Sequence, residues 1–462
     1  MFTVDLPFRD SIAPAGVLIL FQQELAPIRR LVQALEVSVG SQNVKSPQTV
    51  KIYAANETTP RKGPTCLDLF AGAGGLAVGY RQAGWRIVAG NDMNVAAGET
   101  FRRNFPEAVF FEGSVADLTA AAVFQHCGLK RGDLDCLIGG PPCQSFSYNN
   151  HQRSDKDARA RLFEHYLRLV KELHPKSLVM ENVPGILTIG DGTVIREIRA
   201  ALGALDYQVD VQVLSSEEFG TPQVRRRVFI VASRVGLPKT MIPLPTHRSA
   251  KPKPRDSKGG ARLKLAITVD RAIGDLPPIK NGGGAAVMPR GPKKPFSEYQ
   301  REVRKGVRRV FNHVCHSLTD ANLLRLPHIP EGGNWRDIPR DLLPDGMKRA
   351  KLSDHTKRYG RLARKGFAST ILTKCDPHWG AYIHPTQGRT ISVREAARLQ
   401  GFPDSFAFVG DDLAKLYEQV GNAVPVPVAK AIGAAVLSHL EASSATRQLR
   451  AGNSNKSRKK AA

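Results

Sequence analysis

The chain has 462 residues and is 42% hydrophobic, enough for more than one domain with a buried core, which excludes a disordered or fibrous protein. Its 67 Lys and Arg against 42 Asp and Glu give a formal net charge of +25, so a polyanionic partner such as nucleic acid is expected. The six cysteines contain no C-x-x-C pair, and the apolar stretch at 17–21 is too short to span a membrane. These properties predict a cytoplasmic protein without a disulfide framework or membrane contact.

The first part of the chain predicts an extension followed by an α/β domain. Residues 1–62 are expected to form an N-terminal extension and linker, because the amphipathic stretch at 22–35 leads into a polar run. Short apolar runs then alternate with helical patterns over 63–240. This alternation predicts a doubly wound, mostly parallel sheet that binds ligands at the carboxyl ends of its strands. Strands are expected at 66–70, 86–89, 135–138, 177–180 and 227–232, and helices at 158–172 and 193–205.

The following region is less regular. Residues 236–309 are rich in Pro and Gly and contain 18 Lys and Arg against five Asp and Glu, which is typical of a solvated linker or of a nucleic-acid surface. Residues 311–384 predict a smaller irregular domain with two Gly-rich aromatic segments, around Trp335 and Trp379. Helical spacing returns at 392–399 and 424–440, and the basic tail at 441–462 is expected to be disordered.

A glycine-rich turn follows the first strand of the alternating region. Phe70 leads into Ala-Gly-Ala-Gly-Gly, after which a helical pattern begins. Glycines let the backbone approach a ligand, and a helix N-terminus offers free N–H groups. Asp92 follows the next strand, where a carboxylate can hold ribose hydroxyls. The pattern predicts a nucleoside cofactor, with a nicotinamide dinucleotide as an alternative that the lack of G-x-G-x-x-G spacing weakens.

Cys143 stands directly after Gly-Gly-Pro-Pro at the end of the strand expected at 135–138. A lone cysteine is more often a small buried apolar residue, but this position beside a ligand crevice favours a nucleophile. Glu181 ends the next strand, and Arg225 and Arg227 alternate onto one face of the strand after it. A thiol, a carboxyl group and two guanidinium groups are therefore predicted around one crevice.

Five segments in one order resemble the motifs of the DNA cytosine-5 methyltransferase family of bacterial type. They are 70–75, Pro-Pro-Cys at 141–143, Glu-Asn-Val at 181–183, Gln-x-Arg-x-Arg at 223–227 and Gly-Asn-Ala-Val-Pro at 421–425, and the segment 389–403 resembles the family's penultimate motif. The resemblance implies the Rossmann-like fold of class I S-adenosylmethionine-dependent methyltransferases. It also implies a catalytic and cofactor-binding domain at 63–240, an irregular target-recognition region at 241–386 and a return to the catalytic domain at 387–440.

The implied reaction transfers a methyl group from S-adenosylmethionine to carbon 5 of a cytosine flipped out of a specific DNA sequence. Cys143 would add to C6, Glu181 would share a proton with N3, Arg227 would bind O2 and Arg225 would help to position Cys143. The chain has Asp92 and Ser114 where the family commonly has Glu and Asp. The implied cofactor residues are Phe70, Ala71, Gly72, Gly74, Gly75, Asp92, Met93, Ser114, Val115, Pro142, Leu162 and Asn422, and the implied DNA contacts are Gln144, Ser147 and Arg159.

The implied partner is double-stranded DNA, bound by a monomer near the nucleoid without a metal. A restriction endonuclease that acts on the same site is a further candidate partner. Two alternatives remain: an RNA cytosine methyltransferase, which the long basic region disfavours, and a catalytically silent DNA-binding module, which Cys143 and Glu181 disfavour. A zinc site built from His313, Cys315, His316, Cys375 and His378 is disfavoured because the spacing matches no common pattern.

Overall fold

The structure, a computed structural model, describes residues 50–56, 63–142, 162–234, 242–250 and 263–460, with side chains through Ser443. Ten strands are present in this part of the chain. They are β1 Lys51–Tyr53, β2 Thr65–Leu69, β3 Arg86–Asp92, β4 Val109–Glu112, β5 Cys136–Gly139, β6 Ser177–Asn182, β7 Tyr207–Ser215, β8 Arg226–Arg234, β9 Gly284–Pro289 and β10 Arg309–Val314.

Eight of these strands form one sheet in the order β1-β4-β3-β2-β5-β6-β8-β7. The five central strands, β4-β3-β2-β5-β6, run parallel, and β1, β8 and β7 pair antiparallel with their neighbours. The parallel strands are almost continuously buried because helices cover both faces of the sheet. This arrangement confirms the predicted class I methyltransferase fold, and it brings the ends of β2, β5 and β6 to one edge of the sheet.

Twelve α-helices are described. They are α1 Gly75–Gln82, α2 Val95–Asn104, α3 Ala120–Cys127, α4 Leu162–Leu173, α5 Thr193–Ala204, α6 Val269–Ile273, α7 Glu298–Val303, α8 Asp320–Arg325, α9 Asp345–Lys348, α10 Val393–Leu399, α11 Leu413–Asn422 and α12 Val426–Lys460. One face of the sheet packs against α1, α2 and α10 to α12, and the opposite face packs against α3 to α5. The C-terminal helices thus complete the layer that begins with α1.

The structure differs from the sequence-based expectations at five strands and at the C-terminus. The strands β1, β4, β7, β9 and β10 are not among those expected from the sequence: β1 and β4 are very short, β7 and β10 have mixed burial patterns, and β9 is mostly exposed. Helix α12 continues to Lys460, whereas disorder is the expectation from 441. Once a helix is nucleated, each added residue costs little, and the Ala, Arg and Lys residues of this segment have high helix propensity.

The segment between β8 and α10 has its own small core, in which Trp335, Tyr359 and Ile383 pack together with surrounding leucines. The hairpin of β9 and β10 lies outside the main sheet. An isolated β-bridge between Gln223 and Ala368 connects this segment to the residues just before β8. The domain limits given above stay a prediction.

Residues Leu413–Ser443 are long and apolar enough to cross a membrane by length and composition. Most of this segment is buried within the protein, and its helix is interrupted between Asn422 and Val426. These are properties of helices that pack in a protein core.

Candidate active site

The glycine-rich turn connects β2 with α1. Phe70 adopts a left-handed conformation with a φ of 54°, which is uncommon for a residue other than glycine and is found at ligand sites. Gly74 precedes α1 with a φ of 99°, and a side chain there would collide with Phe105. The Gly72 N–H donates to Asp92 Oδ2 at 2.7 Å. The turn and the end of β3 are therefore held together as one surface.

Asp92 is the last residue of β3, which continues beyond the strand expected at 86–89, and it remains half-buried. Its second oxygen, Oδ1, accepts the N–H of Asn94 at 2.8 Å. Burial raises the pKa of Asp92, and the backbone N–H groups oppose this effect. Each oxygen keeps a free lone pair for a hydroxyl donor.

Asp68 lies two residues before Phe70 in β2 and is fully buried. Neither carboxyl oxygen has a hydrogen-bond partner with good geometry among the described residues. Burial raises the pKa of Asp68 well above its usual range, against a smaller opposing effect of the Ala77 backbone N–H. A carboxyl group that lines a cavity without a partner is costly for folding and is therefore a candidate ligand contact.

Glu181 lies near the end of β6 and forms an ion pair with Arg227 of β8, with Oε1 2.9 Å from Nε. Both side chains are mostly buried but reach the cavity. Gly140 provides the space, since a Cβ there would stand 3.0 Å from Glu181 Oε2. The neighbouring Asn182 donates its side-chain N–H to the Pro141 carbonyl at 3.1 Å, which fixes the end of β5 beside the end of β6.

Arg225 is nearly fully buried just before β8. Its two terminal nitrogens donate to the carbonyls of Ile371 and Gly421, both at 2.9 Å. Its Nε has no partner among the described residues. Burial lowers the pKa of Arg225 to about 9, Arg227 adds to this effect and Glu181 opposes it, so the group stays protonated at neutral pH. Arg225 thus ties the end of the irregular segment and α11 to the sheet.

These groups line one cavity of about 540 Å³ at the carboxyl ends of β2, β3, β5 and β6. Gly74 is not among the residues that line this cavity; it forms the turn before α1. Cys143, Gln144, Ser147 and Arg159 lie outside the described residues, and Cys143 directly follows the lining residue Pro142. Of the residues expected from the sequence, the cavity brings together Glu181, Arg225, Arg227, Phe70, Ala71, Gly72, Gly75, Asp92, Met93, Ser114, Val115, Pro142, Leu162 and Asn422.

Several lining residues are missing from the sequence-based prediction. Asp68 has a readable signal, because it is a carboxyl group within an otherwise apolar strand. Ile371, Leu372 and Thr373 have none, since they lie about 150 residues from Arg225 and only the fold brings them to the cavity. The His residues considered for zinc make other contacts. His313 bonds to Ser392 Oγ and to the Pro277 carbonyl, both at 2.8 Å, and no cluster suited to a metal occurs in the described part of the chain.

The fold and this sheet-edge cavity define a class I methyltransferase. A prophage-encoded DNA modification methyltransferase from Escherichia coli, described as putative, has a similar fold, with a TM-score of 0.63, 24% identity and coverage of 82% of this chain and 100% of that chain. The type II methyltransferase M.AgeI of Thalassovita gelatinovora is 32% identical over 79% of this chain and 97% of its own length. M.XorII of Xanthomonas oryzae pv. oryzae is 32% identical over 82% of this chain and 85% of its own length.

Residues 65–438 match the family model for C-5 cytosine-specific DNA methylases. The chain therefore belongs to this family. It is a DNA (cytosine-5)-methyltransferase that uses S-adenosylmethionine, and its substrate is DNA.

Proposed function

We propose that this enzyme methylates cytosine within a specific DNA sequence by flipping the base and adding the Cys143 thiolate to C6. The ion pair between Glu181 and Arg227 at the edge of the cavity carries the proposal, because it joins a proton donor and a fixed cation where a flipped base must lie. Pro142, which precedes Cys143, lines the same cavity. Cys143 therefore directly follows a residue that lines the cavity together with Glu181 and Arg227.

The residues of the cavity fit S-adenosylmethionine. Phe70, Val115 and Leu162 provide apolar surface for an adenine ring, and Asp92 keeps acceptor capacity for ribose hydroxyls. Asp68 supplies an acceptor without a partner for the positively charged amino acid end. When bound, S-adenosylmethionine supplies an electrophilic methyl group for C5.

The protein side chains would prepare the base for that transfer. Cytosine C5 is a weak nucleophile until the Cys143 sulfur forms a bond to C6, which moves electron density to C5. Glu181 would hold a proton at N3 during this addition, and Arg227 would bind O2 and stabilise the negative charge there. After methylation a base removes the C5 proton, the C6–S bond breaks and the Cys143 thiolate is released.

Arg225 would act as a positioning residue. Two of its N–H groups are used by carbonyls from distant parts of the chain, and its buried Nε is available to the segment that contains Cys143. The DNA contacts expected at Gln144, Ser147 and Arg159 belong to the same proposal, because these residues lie within 16 positions after Cys143.

Covalent trapping tests this chemistry. Duplex DNA with 5-fluorocytosine at the target should form a stable complex with the wild-type enzyme, because fluorine cannot leave as a proton does. Cys143→Ala should form none and should transfer no label from S-adenosylmethionine. Full transfer by Cys143→Ala, or no trapping by the wild type, would contradict the thiolate mechanism. Bisulfite sequencing of DNA from cells that express the chain would give the methylated sequence.

The biological setting forms the remaining part of the proposal. M.AgeI and M.XorII are named type II methyltransferases, which supports a role in restriction-modification with an endonuclease that recognises the same site. We infer a monomer in the cytoplasm, associated with the nucleoid. Parallel assays with duplex DNA and transfer RNA separate this proposal from an RNA methyltransferase, since we expect label only in DNA.

A further inference from the structure

The three tryptophans of the chain have different environments. Trp85 and Trp335 are buried, with exposed fractions of 1% and 3%. Trp379 is 51% exposed, although it belongs to the same irregular segment as Trp335. The two Gly-rich aromatic segments therefore have different roles: Trp335 belongs to a small core and Trp379 faces solvent.

Trp379 is held in a rigid turn despite its exposure. Its backbone N–H donates to the Asp376 carbonyl at 3.0 Å, and the His378 N–H donates to Asp376 Oδ1 at 2.8 Å. On either side, the Tyr359 N–H donates to the Pro377 carbonyl at 2.6 Å and the Gly360 N–H donates to the Gly380 carbonyl at 3.3 Å. A large aromatic side chain presented by a fixed backbone loses little conformational entropy on binding, which favours a contact surface.

Two cations stand beside the indole ring. Lys374 Nζ lies 5.9 Å from its centroid and Arg358 Cζ lies 6.0 Å from it. The nearby carboxylate of Asp376 is partly engaged by the His378 N–H. An aromatic ring between cations matches a polyanion that also presents flat, apolar groups, which is the chemistry of nucleic acid.

The turn begins at the wall of the cavity. Leu372 and Thr373 line the cavity, and Lys374 is the next residue. Leu372 is fixed there, since its N–H donates to Tyr382 Oη at 3.1 Å. It also packs so closely against Gly421 that a Cβ on this glycine would lie 2.4 Å from the Leu372 carbonyl. The aromatic and cationic surface is thus continuous with the place where the target base must enter.

We propose that Trp379 contacts duplex DNA beside the target cytosine, with Arg358 and Lys374 binding the flanking phosphates. This inference rests on the proposed function for the position of the target base. Phosphate contacts set affinity and its salt dependence, whereas contacts with bases select sequence. Trp379 is accordingly a specificity-determining residue, and the two cations are not.

Equilibrium binding separates these roles. Dissociation constants are measured in the absence of S-adenosylmethionine, for the duplex that bisulfite sequencing identifies and for a random duplex, at several salt concentrations. Trp379→Ala should weaken binding of the first duplex about 10- to 100-fold with the salt slope unchanged, and Trp379→Phe should restore most of it. Arg358→Met and Lys374→Met should each weaken both duplexes and reduce the salt slope by about 1. Leu324→Ala, an exposed apolar residue of α8, should match the wild type.

Tryptophan fluorescence gives a direct reading in the wild-type enzyme. Because Trp85 and Trp335 are buried, acrylamide should quench mainly Trp379. Saturating duplex DNA should protect this accessible fraction, and Trp379→Phe should show little accessible fraction with or without DNA. Thermal midpoints and S-adenosylmethionine binding should be the same in all variants.

Unchanged DNA affinity of Trp379→Ala, or unchanged quenching with DNA, would overturn the inference, even if cytosine methylation proceeds as proposed. A failure of covalent trapping together with a Trp379-dependent affinity for DNA would instead contradict the proposed chemistry and leave the contact surface in place.

Discussion

Charged side chains occupy two buried regions of this enzyme, and they are used in opposite ways. Around α10, Arg389 forms two parallel bonds with Glu395 at 2.7 and 2.8 Å, and Arg398 forms two with Asp404 at 2.7 and 2.8 Å and another with Asp275. At the cavity, neither oxygen of Asp68 has a hydrogen-bond partner with good geometry in the described part of the chain. The first region satisfies its buried charges, whereas the cavity, beside the paired Glu181 and Arg227, retains an unsatisfied carboxyl group.

The physical reason lies in the cost of taking a charge out of water. A buried ion is tolerated when its partners replace the lost hydration, as they do for Arg398 between two carboxylates. Asp275 follows α6, so the pair also fixes the irregular segment to α10. A buried carboxyl group with no partner weakens folding and becomes favourable only when a ligand arrives. The contrast therefore separates buried charges that are satisfied within the fold from a carboxyl group that is available to a ligand.

In the first region, Arg398→Met should cause the largest loss of stability. It leaves Asp404 buried without its main partner and Asp275 with only Arg304, so the free energy of unfolding should fall by about 3–5 kcal/mol. Chemical denaturation followed by circular dichroism measures this loss. Arg364→Met is the matched control, because its pair with Glu331 is largely exposed and should change stability by less than about 0.5 kcal/mol. Equal losses in the two variants would remove the distinction between the regions.

Glu181→Gln, at the cavity, should reduce activity and leave stability nearly unchanged. The amide oxygen can still accept from Arg227, but the group no longer supplies a proton to N3, so the rate of methyl transfer should fall about 10²- to 10⁴-fold. Single-turnover kinetics with labelled S-adenosylmethionine measure this rate, and thermal denaturation should change little. Glu172→Gln, in a partly exposed pair with Arg168, should retain full activity. A stable, fully active Glu181→Gln enzyme would exclude the proposed proton transfer.

Asp68→Asn tests the unsatisfied carboxyl group itself. The KM for S-adenosylmethionine should rise about 10- to 100-fold, the loss expected for one hydrogen bond to a charged group. The free energy of unfolding should stay the same or increase, because a buried carboxyl group without a partner is removed. Initial-rate kinetics and denaturation together distinguish this from a general defect. An unchanged KM would show that Asp68 does not contact the cofactor.

The last prediction concerns the pH dependence of stability in the first region. Burial lowers the pKa of His384 to about 4, and its Nδ1 accepts the backbone N–H groups of Thr386 and Gln387. The unfolded chain takes up this proton near pH 6.5, so stability is complete above that value and falls towards pH 4, by at most about 1.4 kcal/mol per pH unit for this proton. Burial raises the pKa of Glu395, but Arg389 outweighs this effect and holds it below its usual range. The loss of stability therefore continues below the pKa of an unfolded Glu.

Replacing the histidine isolates its share. In His384→Asn the side-chain oxygen can take the place of Nδ1, and the replaced side chain binds no proton between pH 6.5 and 4. Denaturation curves across this range should be flatter than for the wild type, while the steeper loss at lower pH should remain. Identical pH profiles would mean that His384 does not contribute.

The sequence predicts features that depend on neighbouring residues. The turn from Phe70 to Gly75 and the position of Glu181 at a strand end are local, and the parallel sheet follows from alternating patterns along the chain. Arg225 shows what local sequence patterns cannot predict. Its sequence position predicts a role at the crevice, but its bonds to the carbonyls of Ile371 and Gly421 join residues 146 and 196 positions away. The partners of Arg398 are hidden in the same way, because no local pattern predicts Asp275, 123 positions earlier.

The short strand β1 has a consequence for how this enzyme behaves at high concentration. It covers the outer edge of β4, whose apolar residues Val109, Phe110 and Phe111 are buried. An uncovered strand edge invites pairing with another molecule and leads to aggregation. Lys51, exposed at the start of β1, places a charge on the new edge. Strand β1 therefore protects this edge of the sheet, although none of its residues lines the cavity.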